Sequence, residues 1–145
     1  HAKSVSAETT FNEDLRDLDM LAKRLWPLCE KVARRLKEDD ISGSRITLKM
    51  KKRDFKTLTR NRTLAEPTQL AETLFRTARL LLNEEAKGRF FRLIGIGVSE
   101  LTDAVNADPI DLLDPKATKR ATVEHAIDTI RAKLGKNAIV KGRSF

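Results

Sequence analysis

Several things are scarce in this 145-residue chain. It has no tyrosine, one tryptophan, six phenylalanines and a single cysteine, Cys29. One cysteine excludes an internal disulfide, and the lack of a cysteine framework points to a reducing, cytoplasmic setting. No run of about 18 apolar residues occurs, so no membrane span is expected. The opening, HAKSVSAETTF, has no apolar core of a signal peptide, and a start at His1 reads as a segment of a longer protein. The two histidines, His1 and His125, have no partners at ligand spacing, so no zinc site is expected. Acidic runs such as Glu38-Asp39-Asp40 and Glu84-Glu85 lie at helix ends and read as solvated. There is no Walker-type phosphate loop, and Gly95-Ile96-Gly97 falls inside a strand pattern, not before a helix. No catalytic constellation is present.

Positive charge is not scarce, and it is concentrated. The net charge is +8. Residues 44–65 hold eight bases and one acid, a net +7, while the rest of the chain nets +1. A localised basic stretch is the electrostatic footprint of a polyanion partner. The alternative is a solvated strand pair.

Periodicity then orders the elements. Residues 3–11, KSVSAETTF, read as a strand. Asn12 is expected to cap a helix, with Glu13 and Asp14 in its first turn. Its apolar stripe is Leu15, Leu18, Ala22, Leu25, Cys29, Val32 and Leu36. Cys29 on that stripe reads as a small buried hydrophobe, not a reactive thiol. Pro27 is expected to kink or divide this helix, and EDDISGS to stop it. Residues 45–51 alternate, with Ile46, Leu48 and Met50 on one side and Arg45, Thr47, Lys49 and Lys51 on the other. A turn at 52–54 leads to a second strand, 55–65. Glu66-Pro67-Thr68 is expected to open a second helix, with Pro67 at its first position and Gly88 just past its end. Residues 89–99 form a last strand, where Gly95 and Gly97 mark a bulge or a close approach.

The fold class that follows is α+β. The order is βαββαβ: a four-stranded antiparallel sheet with two helices on one face, plus a C-terminal helical tail. The sheet domain is assigned to residues 3–101. Residues 102–145 form a linker and a tail helix that opens at Asp114-Pro115 and stops at Gly135. The outer face of the 44–65 hairpin, including Lys49, Lys51 and the cluster Thr57, Thr59, Arg60, Asn61, Arg62 and Thr63, suits phosphate contacts. Strand aromatics are few and partly required by the core, so gripping a duplex backbone fits better than stacking single-stranded bases.

Three stretches also resemble a known family. KSVSAETTF followed by an acidic helix start, RITLKMKKRDFKTLTRNRTL with its Asp-Phe turn and TRxRTL run, and FRLIGIGVSEL are similar to the little finger domain of bacterial Y-family translesion DNA polymerases of the DNA polymerase IV type. The resemblance covers about residues 3–101, and the tail also resembles that of some bacterial members. It implies an accessory domain that holds template-primer duplex DNA in the major groove, beside a catalytic core of the same polypeptide. That core would use Mg²⁺; no cofactor is expected here, and this chain alone should be inactive. Carried over by position, the implied DNA contacts are Lys3, Ser4, Ser6 and Thr10; Thr59, Arg60, Asn61, Arg62 and Thr63; and Arg92, Gly95 and Gly97. Ala7 and Gly97 stand where some relatives carry arginine.

Pro109-Ile110-Asp111-Leu112-Leu113 has the shape of the family's clamp-binding peptide, with Ile110, Leu112 and Leu113 as anchors for a sliding clamp; an ordinary linker is the competing reading. Two further functions remain open at this point: a protein-interaction module docking on the clamp, and an RNA-binding sheet domain.

Overall fold

The computed structural model describes residues 3–109, and these form the observed βαββαβ domain. The elements are β1 (Ser4–Leu15), α1 (Leu18–Glu38), β2 (Ile41–Lys52), β3 (Thr57–Thr68), α2 (Ala71–Ala86) and β4 (Phe91–Asp103), followed by a 3-10 turn at Ala104–Asn106. The sheet order is β1-β4-β2-β3, and all neighbours are antiparallel. The tail helix and the Ile110–Leu113 peptide lie outside the described residues.

One face of the sheet is apolar because side chains alternate along each strand. Val5, Ile46, Leu48, Met50, Ile94, Ile96 and Val98 pack against Leu21, Leu25, Val32 and Leu36 of α1 and Leu74, Ala78 and Leu82 of α2. Trp26 and Phe75 close the groove between the helices edge to face, with centroids 5.3 Å apart. Among the described residues no helix lies on the opposite face.

Several boundaries differ from the sequence expectation. Asn12 does not cap α1; Asn12–Leu15 stay in β1, and Leu15 pairs with Phe91 beyond an irregularity in the ladder. Leu15 has the right phase for the helical stripe, but its half-buried side chain packs on the core from the strand. Asp17 is the cap, its carboxylate accepting from the Met20 N–H at 3.1 Å. Pro27 does not divide α1, which runs as one helix with Pro27 on its exposed side. There it forgoes one backbone hydrogen bond and buries no unpaired group.

β2 starts at Ile41, four residues before the alternation becomes visible, because the left-handed Asp40 (φ 54°) turns the chain directly from α1 into the sheet. Glu66-Pro67-Thr68 is not a helix start but the end of β3. Proline is tolerated there because β3 is an edge strand, where a missing N–H leaves no ladder partner orphaned. α2 opens at Ala71, and the Thr68 hydroxyl accepts the Leu70 N–H at 3.0 Å. Lys87 (φ 39°) and Gly88 (φ 76°) then end α2 in left-handed backbone, as the Gly88 position implied.

Candidate nucleic-acid interface

The register sorts the open face into four rows, each read β1, β4, β2, β3. They are Ser4, Ser99, Arg45, Thr63; Ser6, Gly97, Thr47, Asn61; Glu8, Gly95, Lys49, Thr59; and Thr10, Leu93, Lys51, Thr57. Leu93 is the only large apolar residue among them, and none is aromatic. The surface is a plane of hydroxyls, one amide, three bases and one acid, Glu8, lowered in the middle by two glycines. Hydroxyl, amide and cationic donors with no stacking platform match the chemistry of phosphate oxygens.

This arrangement brings together Ser4, Ser6, Thr10, Lys49, Lys51, Thr59, Asn61, Thr63, Gly95 and Gly97. It adds Arg45, Thr47 and Ser99, which sequence reasoning did not select, although the alternation in RITLKMK already placed Arg45 and Thr47 beside Lys49. Lys3 is exposed just ahead of β1.

Three expected residues stand apart. Arg60 and Arg62 pair with Leu48 and Ile46, whose side chains are in the core, so both arginines belong to the helix side of β3. There Arg60 Nε meets Glu85 of α2 at 2.7 Å. The single basic outer face expected of the hairpin is therefore two faces, since consecutive strand residues point oppositely. Arg92 occupies the extra position of a bulge, where Lys51 pairs with Leu93 but Lys52 with Phe91. Its guanidinium lies 4.0 Å from the centre of the Phe55 ring. Gly95 and Gly97 themselves sit in regular pairing. The anticipated close approach is real at Gly95, where a Cβ would lie 2.9 Å from that of Glu8.

Electrostatics changes the picture further. Among the described residues, acids from other elements meet four of the eight bases in 44–65. Arg45 faces Glu100 at 3.7 Å, Lys49 faces Glu8 at 3.3 Å, Arg53 faces Asp14 at 3.1 Å, and Arg60 faces Glu85. Arg45 also donates to the Asn61 side chain at 3.4 Å. At the hairpin end of the sheet, Arg53 and Arg16 lie over the Phe90 ring, at 3.7 and 5.1 Å. Phe55, left-handed at φ 71° in the turn, is 65% exposed.

Among the described residues no group of three or more His, Cys, Asp or Glu side chains could hold a metal ion. No described helix is long and apolar enough to cross a membrane.

The described residues form an α+β domain of one class: an open-faced four-stranded antiparallel sheet backed by two helices, polar and basic on its free side. Residues 2–112 match the impB/mucB/samB family C-terminal domain, and the chain belongs to that family. It is 55% identical over 143 residues to DNA polymerase IV of Brucella melitensis, covering 99% of this chain and 32% of the relative. It is 47% identical over 143 residues to DNA polymerase IV of Caulobacter vibrioides, covering 99% and 35%. The chain thus spans about a third of the length of the curated relatives it matches.

Among solved structures, the little finger domain of PolIV in complex with the beta-clamp processivity factor superimposes with a TM-score of 0.57. It is 28% identical, with coverage of 66% of this chain and 86% of that one. The Dbh ternary complex gives a TM-score of 0.60 at 18% identity, covering 66% of this chain and 28% of that one, a likeness of fold alone.

Proposed function

We propose that this domain grips the backbone of template-primer duplex DNA with its open sheet face, as the accessory domain of a DNA-directed DNA polymerase active in translesion synthesis in the cytoplasm. One observation carries the reading: four rows of hydroxyls, one amide, three bases and a single acid without an aromatic, on a sheet whose other face packs on the core through β1, β2 and β4. Contacts of that kind position a duplex and carry no base code, so the grip tolerates a damaged template. The absence of aromatics from the rows disfavours the RNA-binding alternative, because sheet domains that read single strands stack bases on them. The relatives' name, DNA polymerase IV, supports placing a catalytic core elsewhere in the polypeptide. Mg²⁺ would belong to that core, and no catalytic step is assigned to this chain.

The test is binding of a mixed-sequence duplex over a salt series. Sequence-independent affinity in the micromolar range should fall steeply with salt. Lys49→Ala with Lys51→Ala should lower the salt slope by up to about two units, about one per phosphate contact. Arg60→Ala with Arg62→Ala, on the helix side, should lower it less. The opposite ranking would move the grip to the sheet edge, and preference for single-stranded RNA would replace the reading.

Docking on a sliding clamp is a second reading, favoured by the solved complex of a PolIV little finger domain with its clamp. Ile110, Leu112 and Leu113 would anchor it. Clamp capture should be lost when Leu112 and Leu113 are changed to Ala; retained capture removes this peptide.

A further inference from the structure

Glu8 is the one acid in the four open-face rows, and it stands near the middle of a surface otherwise suited to a polyanion. Its carboxylate reaches Lys49 Nζ at 3.3 Å, across β4. The residue between them is Gly95, paired with Glu8 on one side and Lys49 on the other. A side chain at this position would crowd the pair, since a Cβ would lie 2.9 Å from Glu8 Cβ and 3.2 Å from the Ala7 carbonyl oxygen. The glycine thus leaves a gap through which an acid on one strand meets a base two strands away. Glu8 and Lys49 side chains are 51% and 42% exposed. An ion pair so open to water adds little to folding stability. Its consequence lies at the surface, where the carboxylate takes one of the ammonium's three donors and offsets the charge that would attract an incoming phosphate.

We propose that Glu8 is an internal competitor for the phosphate site at Lys49, a built-in anion that loosens the grip on DNA and is delivered there by Gly95. The inference rests on the open face being the DNA-binding surface. While Glu8 holds Lys49, a duplex gains less from that lysine and releases fewer counterions on reaching it. Exposed pairs of this strength weaken a competing contact by about two- to fivefold. The face is then suited to holding a duplex and letting it move.

Anisotropy titrations of a short fluorescent mixed-sequence duplex with the 145-residue chain decide the matter. Glu8→Gln should bind about two- to fivefold more tightly at low salt and steepen the salt slope by up to about one unit. In a Lys49→Gln background the same change should have no such effect, because the contested donor is gone. Glu84→Gln, an exposed position on α2, removes the same charge far from the face and measures the general effect of net charge. A gain no larger than that of Glu84→Gln, or one that survives in the Lys49→Gln background, overturns the proposal. So does weaker binding by Glu8→Gln, which would make Glu8 a direct acceptor for the nucleic acid. These results presuppose that the unaltered chain binds duplex. If it does not bind at low salt, the function proposed above falls, and this inference with it.

Discussion

Cys29 is fully buried on the core side of α1, and burial, reinforced by the neighbouring charge of Glu30, pushes its thiol far above the ordinary range. The folded-state pKa is raised above the unfolded value of about 9, so the stabilisation it reports is complete below pH 9. It is lost as pH rises, because only the unfolded chain can then release the proton. From about pH 9 upward, stability relative to a Cys29→Ala variant should fall by about 1.4 kcal/mol per pH unit. Urea unfolding of both proteins on either side of that pH checks this, and a constant difference would place the thiol in contact with water. The same residue illustrates what a single position reveals. A lone cysteine on an apolar stripe is legible as core. Glu8 two strands from Lys49 is not, because nothing near residue 8 announces a lysine 41 positions away.

At the scale of elements, element types follow local composition, whereas two helix starts do not. Asn12, Glu13 and Asp14 have the composition of a helix start, and Glu66-Pro67-Thr68 has that of another. Both segments are strand ends that bridge an irregularity in the ladder, between the paired residues Thr10 and Leu15 in β1 and Thr63 and Thr68 in β3, so the pairing on either side keeps them extended against weak capping preferences. The true start of α2 depends on residues that no local pattern links. Asp108, left-handed at φ 48°, accepts from the Thr68 hydroxyl at 2.6 Å and the Gln69 N–H at 3.0 Å. Its own N–H donates to the Pro67 carbonyl at 2.9 Å. The Gln69 side chain in turn donates to the Ile41 carbonyl at 3.0 Å. The chain after β4 is thereby latched to the β3–α2 corner. Asp108→Ala removes two acceptors beside buried Thr68 and Gln69 and should cost about 1–3 kcal/mol. Asp108→Asn keeps one oxygen and tolerance of left-handed backbone, and should recover part of it. Denaturant titration of the three proteins measures the ranking.

For the whole molecule, the order β1-β4-β2-β3 puts the last strand inside and leaves the first and third at the edges. β4 pairs on both sides and lines the core through Ile94, Ile96 and Val98. Native-state hydrogen exchange should therefore be slowest at residues 94–98, while alternate amides of β3, which face no strand, exchange fast. Equal protection in β3 would mean that something else covers that edge.

Element types, their order, the basic stretch and the family motifs were set by the sequence alone, because periods of two and 3.6 residues and local composition are properties of neighbours along the chain. The faces to which Arg60 and Arg62 belong, the acids that meet four of the hairpin's bases, and the glycine gap between Glu8 and Lys49 were decided only in the tertiary structure. Each depends on strand register and on contacts between residues 12 to 87 positions apart, which no local pattern encodes.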